Sequence, residues 1–193
     1  MKNIKLEAIN QVRAIYNYFS SIQTFSVLIP EVRTNISVAT RNAESEEKIA
    51  AIEGRITVIG GFPKACGDIK FGVSDHTARL ILTAKQFDKK ITVVMNLKYL
   101  PNIITRLEQH SDLQLREIIR EEQPEEVKKR EHSTMQWLIK KTIDELGRIP
   151  DIIWDKGAMG KEAMMRLFAQ DADDMIRKLE IIVEILHQDE SVE

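Results

Sequence analysis

The stretch FGVSDHTARLILTAKQFDKKITVVM, residues 71–95, changes hydrophobic period partway along. Leu80, Ile81 and Ala84 recur at helical spacing, and Ser74 or Asp75 stands where an N-cap belongs. This predicts a helix over about 74–87. Ile91-Thr-Val-Val-Met95 is a short β-branched run, which predicts a buried strand. A helix leading into a buried strand points to an α/β fold. The same helix carries His76 and Arg79 on one face of its first turns. A helix N-terminus is already partially positive, so an added imidazole and guanidinium suit an anion such as phosphate. The plain alternative is a surface His and an Arg bonded to a nearby carboxylate.

The pattern outward from this stretch agrees. Residues 2–20 repeat apolar side chains every three or four positions, as a helix does. Val27–Ile29, Ile36–Ala39 and Arg55–Ile59 look strand-like, and residues 45–52 suit a short helix stopped by Gly54. Further on, a helix is expected from Pro101, a strand over Leu113–Ile119, and one long helix from Glu125 to Leu146. Strands are expected over Asp151–Trp154 and Lys161–Phe168. Asp171 is placed to cap a last helix with Met175, Leu179, Ile182, Ile185 and Leu186 as its apolar stripe. Alternating strands and helices predict a mixed sheet with helices on both faces. Three parts are expected: a lead-in helix over 1–24, a main domain over 25–188 and a frayed tail over 189–193.

Composition narrows the function classes. A net charge of −2 argues against nucleic-acid binding through a broad basic face. The single cysteine, Cys66, excludes an intrachain disulfide and fits a cytoplasmic setting. No apolar run reaches the ~20 residues of a membrane span. His110, His132 and His187 are scattered, and Cys66 has no CxxC partner, so no zinc pattern is present.

Other candidate ligand groups follow from residue chemistry. Gly60-Gly61-Phe-Pro-Lys64 follows a strand and offers close backbone approach plus a cation, or serves as an ordinary turn. Asp155 is a candidate Mg²⁺ ligand or caps its own turn. Arg166 alternates with Met164 and Phe168 on a strand expected to be buried, so it needs an acid or a ligand's phosphate as partner. Asn35 and Asn96 end strand-like runs, where α/β proteins often place ligands.

Several segments, taken in order, resemble the ThiN-type thiamine-phosphate synthase domain: LIPEVRTN (28–35), GRITVIGG (54–61), FGVSDHTARLILTA (71–84), MNLKY (95–99), PEEVKKREHSTMQW (124–137) and PDIIWDKGAMGKEAMMRLF (150–168). The resemblance spans roughly residues 25–187. It implies a three-layer α/β/α sandwich with a mixed sheet, related to the class II aldolase (AraD-like) fold. It also implies a reaction, in which aminopyrimidinylmethyl diphosphate and hydroxyethylthiazole phosphate give thiamine phosphate and diphosphate. Regulatory relatives that sense thiamine precursors or products lack the helix bearing His and Arg; this chain has it. A non-catalytic sensor domain of a transcription regulator is the alternative.

On this reading His76 and Arg79 are catalytic. Ser74, Gly60, Gly61 and Lys64 assist phosphate binding, and Mg²⁺ accompanies the diphosphate. Lys161 or Arg166 takes the thiazole phosphate, while Asn35, Asn96 or Asp155 reads the aminopyrimidine edge. Fusion to, or association with, a hydroxymethylpyrimidine kinase domain is implied, and a homo-oligomer is expected. Two departures from the family pattern bear on metal placement. His132-Ser-Thr-Met-Gln136 stands in place of a small Gly-Ser-Thr run, and Ile119-Arg120 in place of Asp-Arg, with Glu131 as a substitute acid.

Overall fold

The computed structural model describes residues 2–129 and 133–190. Strands β1 (Ile36–Ala39), β2 (Ile49–Ile52), β5 (Ile69–Phe71), β6 (Val93–Lys98), β7 (Leu115–Glu117), β8 (Ile152–Asp155) and β9 (Met164–Ala169) form one sheet in the order β5-β2-β1-β6-β9-β8-β7. All pairings are antiparallel except β7 with β8, so the sheet is mixed. Strands β3 (Ile56–Ile59) and β4 (Phe62–Ala65) form a separate hairpin.

Helices α1 (Lys2–Phe19), α3 (Pro101–His110) and α6 (Ala172–Glu190) cover one face. Their buried side chains, among them Val12, Leu107 and Leu179, join Ile36, Met95, Leu167 and Ile152 from the strands. Helices α2 (His76–Phe87) and α5 (Thr134–Leu146) cover the other face, where Leu80, Ile81, Leu138 and Ile139 meet Val94, Ile153 and Phe168. The expected three-layer α/β/α arrangement is therefore present. The strand period of two explains the division. Along β9, Met165, Leu167 and Ala169 face the first core, while Phe168 faces the second. Arg166, two residues before Phe168, shares its face, which places a cation on the α2 side of the sheet.

The segment expected as a lead-in helix docks on the body. Ala8, Val12, Ile15 and Phe19 of α1 are buried in the same core as β1, β2 and α6, and Phe19 stacks on Phe25 at 4.3 Å between ring centroids. Pro101 opens α3 as expected. Asp171 caps α6, its Oδ1 accepting the Asp174 N–H at 2.9 Å.

Four local expectations are corrected. Residues 45–52 do not form a helix: after a 3₁₀ turn at Glu46–Lys48, Ile49-Ala-Ala-Ile52 is strand β2, buried throughout between β1 and β5. Sheet pairing overrides the helical preference of its two alanines. Val27–Ile29 is not a strand: Val27 and Leu28 belong to a 3₁₀ turn, Thr24–Leu28, which Ile29 ends, and whose three-residue period points both Phe25 and Leu28 into the core. The long helix is instead α4 (Glu125–Lys129) and α5, with Ser133 at the start of α5 donating its hydroxyl to the Val127 carbonyl at 2.7 Å. Glu131 and His132 lie outside the described residues. The tail expected to fray from 189 is helical to Glu190, and residues 191–193 lie outside the described residues.

Candidate active site

The second face of the sheet is capped by α2 and α5 only in part. Near the start of both helices a cleft opens, with two lobes. The first, about 140 Å³, is lined by residues including Asn35, Ser74, Asp75, Thr77 and Asn96. The second, about 320 Å³, is lined by residues including Arg79, Arg120, Thr134, Lys161 and Glu162. Val32, Arg55, His76, Met135, Met164 and Arg166 line both, so the lobes are continuous. The cations Arg55, Arg79, Arg120, Lys161 and Arg166 face the carboxylates Asp75 and Glu162. The cleft is thus positive in a chain whose net charge is −2.

Helix α2 is anchored by hydroxyls. Ser74 Oγ lies 3.0 Å from Ser37 Oγ and 2.7 Å from Thr77 Oγ1, and Ser37 and Thr77 are themselves 2.7 Å apart. All three residues are buried. This closed ring fixes the first turn of α2 to β1, so Ser74 positions the helix mouth. Asp75 follows; it pairs with Arg79, and its Oδ2 lies 3.6 Å from His76 Nε2.

His76 has its pKa lowered from the ordinary 6.5. Loss of surrounding water is the largest cause; Asp75 opposes it, and the guanidiniums of Arg79, Arg55 and Arg166 add to it. Solvent reaches 64% of the side chain and screens these effects. Because the folded protein resists protonating this ring, its contribution to stability declines as pH falls below 6.5 toward the folded-state value. In an NMR pH titration of the ligand-free protein, with His76→Gln to assign the signal, the imidazole is expected to half-protonate below 6.5. Added inorganic diphosphate is expected to move the midpoint up, because a bound polyanion favours imidazolium. A ligand-free midpoint at or above 6.5 would contradict this account.

A buried ionic cluster lies beneath the second lobe. Asp155 is fully buried, and its Oδ2 accepts from Arg166 Nη1 at 2.7 Å while its Oδ1 accepts the Gly157 N–H at 2.8 Å. Arg120 Nε approaches Oδ1 at 3.6 Å. Arg166 thus finds the acid that its buried position demands. Burial lowers the Arg120 pKa, with Asp155 opposing and Arg166 reinforcing. The loop after Asp155 needs glycine at 157: φ is +77°, and a Cβ there would sit 2.4 Å from the Lys161 carbonyl oxygen. That tight turn sets Lys161 and Glu162 at the cleft rim. Glu162 also accepts the Glu31 and Val32 N–H groups at 3.0 and 3.1 Å.

Residues 11–181 match the family model described as thiamine-phosphate synthase ThiN. The chain belongs to the ThiN family. It is 36% identical over 183 residues to the bifunctional thiamine biosynthesis protein ThiDN of Methanocaldococcus jannaschii, covering 92% of this chain but 42% of that protein. It is 32% identical over 184 residues to the thiamine-phosphate synthase ThiN of Methanothermobacter thermautotrophicus, covering 95% of each. The crystal structure of the C-terminal domain of a phosphomethylpyrimidine kinase superposes with a TM-score of 0.83 at 32% identity, covering 94% of this chain and 98% of that one.

Within this ThiN chain, the cleft gathers His76, Arg79, Ser74, Asn35, Asn96, Lys161 and Arg166. It does not gather Gly60, Gly61 or Lys64. Gly60 and Gly61, with φ of +61° and +82°, form the two-residue turn between β3 and β4. The Gly61 carbonyl accepts from Ser26 Oγ, and Lys64 extends over the Phe62 ring at 5.9 Å. Asn35 and Asn96 are largely spent on the scaffold. Asn35 Oδ1 accepts from the Ile36 and Ile52 amides, and its Nδ2 donates to the Ile52 carbonyl. Asn96 Oδ1 accepts the Asn35 N–H at 2.8 Å, and its Nδ2 donates to the Arg33 carbonyl.

The donor set around Asp155 does not fit Mg²⁺. Both carboxylate oxygens are engaged, two guanidiniums adjoin them, and the residue is fully buried. Among the described residues no three His, Cys, Asp or Glu side chains converge into a metal-binding group. Sequence reading missed Arg55 and Arg120. Arg55 has φ of +68° and donates to the Val32 carbonyl at 2.7 Å, holding the loop over the cleft.

Proposed function

We propose that this chain forms thiamine phosphate by joining aminopyrimidinylmethyl diphosphate to hydroxyethylthiazole phosphate. The observation that carries the reading is the continuous cationic cleft at the α2 mouth, in a chain of the ThiN family. The thiazole nitrogen attacks the pyrimidinylmethyl carbon; the carbon–oxygen bond breaks, and diphosphate leaves with the electron pair. No proton need move in that step, so the protein's tasks are alignment and stabilisation of the departing charge.

The diphosphate sits between the α2 N-terminus, His76 and Arg79, where the lobes meet. There its oxygens take Arg79 from Asp75, a single carboxylate displaced by a polyanion. The first lobe, lined by Val73, Leu80 and Met164 beside the Thr77 hydroxyl, receives the pyrimidine. Mg²⁺ is proposed only as a companion of the diphosphate, bound to its oxygens and not to Asp155.

Fusion to or association with a hydroxymethylpyrimidine kinase domain is proposed from the bifunctional relative, of which this chain spans 42%. A cytoplasmic setting is proposed from the metabolic role; among the described residues no helix is long and apolar enough to cross a membrane. The test is direct. Purified protein mixed with both substrates is expected to yield thiamine phosphate and diphosphate in equal amounts, read by chromatography. Tight binding of thiamine phosphate with no product from the two precursors would sink the synthase reading and leave a sensor.

A further inference from the structure

We infer that Arg120, with Lys161 at the rim, forms a second anion subsite that takes the phosphomonoester of the thiazole substrate. The inference rests on the synthase reading. Its ground is an arginine whose donors are unmet. Arg120 is 7% exposed, lines the second lobe, and has Nε and Nη1 buried without a hydrogen-bond partner among the described residues. Buried polar groups are ordinarily satisfied, so such an orphan calls for an acceptor. The acid it pairs with among the described residues, Asp155, stands 3.6 Å from Nε, too far for a hydrogen bond. Asp155 also spends its other oxygen on Arg166. Two buried guanidiniums therefore share one carboxylate, leaving a positive charge that a phosphate would neutralise. Arginine's planar fork suits phosphate oxygens.

The reaction geometry separates this subsite from the α2 mouth. In a displacement at carbon, the attacking nitrogen and the departing oxygen lie on opposite sides of the reacting centre. The thiazole with its phosphate tail and the diphosphate therefore need separate anchors. The α2 mouth supplies one. Arg120 and Lys161 supply the other, across the lobe that contains them both.

Kinetics of Arg120→Gln test the assignment. The KM for thiazole phosphate is expected to rise about 10- to 50-fold, the range of one lost charge-assisted contact. The KM for the pyrimidine diphosphate is expected to stay within about twofold. The gap between variant and wild type is expected to close when the thiazole alcohol lacks its phosphate. Calorimetry with ethyl phosphate, a phosphomonoester probe, reads the subsite without turnover and should show at least about tenfold weaker binding to the variant. Unchanged KM and unchanged ethyl phosphate binding would overturn the inference, as would a rise confined to the pyrimidine diphosphate. If wild type makes no thiamine phosphate yet ethyl phosphate binding depends on Arg120, the subsite stands and the synthase reading falls. Should Arg120→Gln not fold, Lys161→Met at the exposed rim carries the test, with an expected rise of about three- to tenfold for thiazole phosphate alone.

Discussion

Arg79→Ala is expected to lower kcat/KM for thiamine phosphate formation by about 10²–10³-fold, the loss typical of one preorganised donor to developing charge. The guanidinium stands one turn into α2, 14% exposed, and lines the cleft beside His76. Its role is electrostatic, so charge removal should act mainly on the step in which diphosphate departs. Alanine is a strong helix former, and the fold should tolerate the change to within about 1 kcal/mol. A second readout separates a role in the site from a structural one. With Arg79 gone, Asp75 faces His76 alone, so the imidazole should titrate higher than in the wild type. Activity within a few-fold of wild type would remove Arg79 from the chemistry.

The largest loss of stability is expected from Asp155→Ala. The carboxylate is fully buried and holds Arg166 directly, Arg120 at longer range, and the Gly157 amide. Deleting it leaves two guanidiniums enclosed without an acid. Breaking a buried ion pair from one side costs about 3–5 kcal/mol. Urea denaturation measures this. Asp155→Asn, which keeps the shape and an acceptor oxygen but not the charge, should lose less than alanine. A loss under about 1 kcal/mol for Asp155→Ala would show that the cluster is solvated or re-paired, contrary to its burial.

The fold was readable wherever one hydrophobic period runs long enough. α2 into β6, the α6 stripe and the Asp171 cap are local patterns, and the structure bears them out. β2 was not readable, because Ile-Ala-Ala-Ile fits a helix or a strand equally well until β1 and β5 enclose it. Site residues divide in the same way. His76 and Arg79 announce themselves through helical spacing at a helix start. Arg166 was legible as a buried cation in need of a partner, and Asp155 answers it from the next strand, a pairing that register alone reveals. Arg120 is hidden in a mixed-sign run, Arg120–Glu131, that reads as a solvated helix start. Only tertiary packing buries it. Lys64 misled because glycines beside a lysine suggest a phosphate loop, whereas hairpin geometry explains the glycines fully.

Both borders of the seven-stranded sheet are three-residue strands, β5 and β7, and each is studded with charge. Lys70 reaches Glu53, Arg116 reaches Glu145, and Glu117 reaches Lys156, so ion pairs flank both borders. Brief, charged margins discourage another chain from adding a strand. If copies of this protein associate, they are expected to meet through helical surfaces, leaving each β-layer closed to its neighbour's.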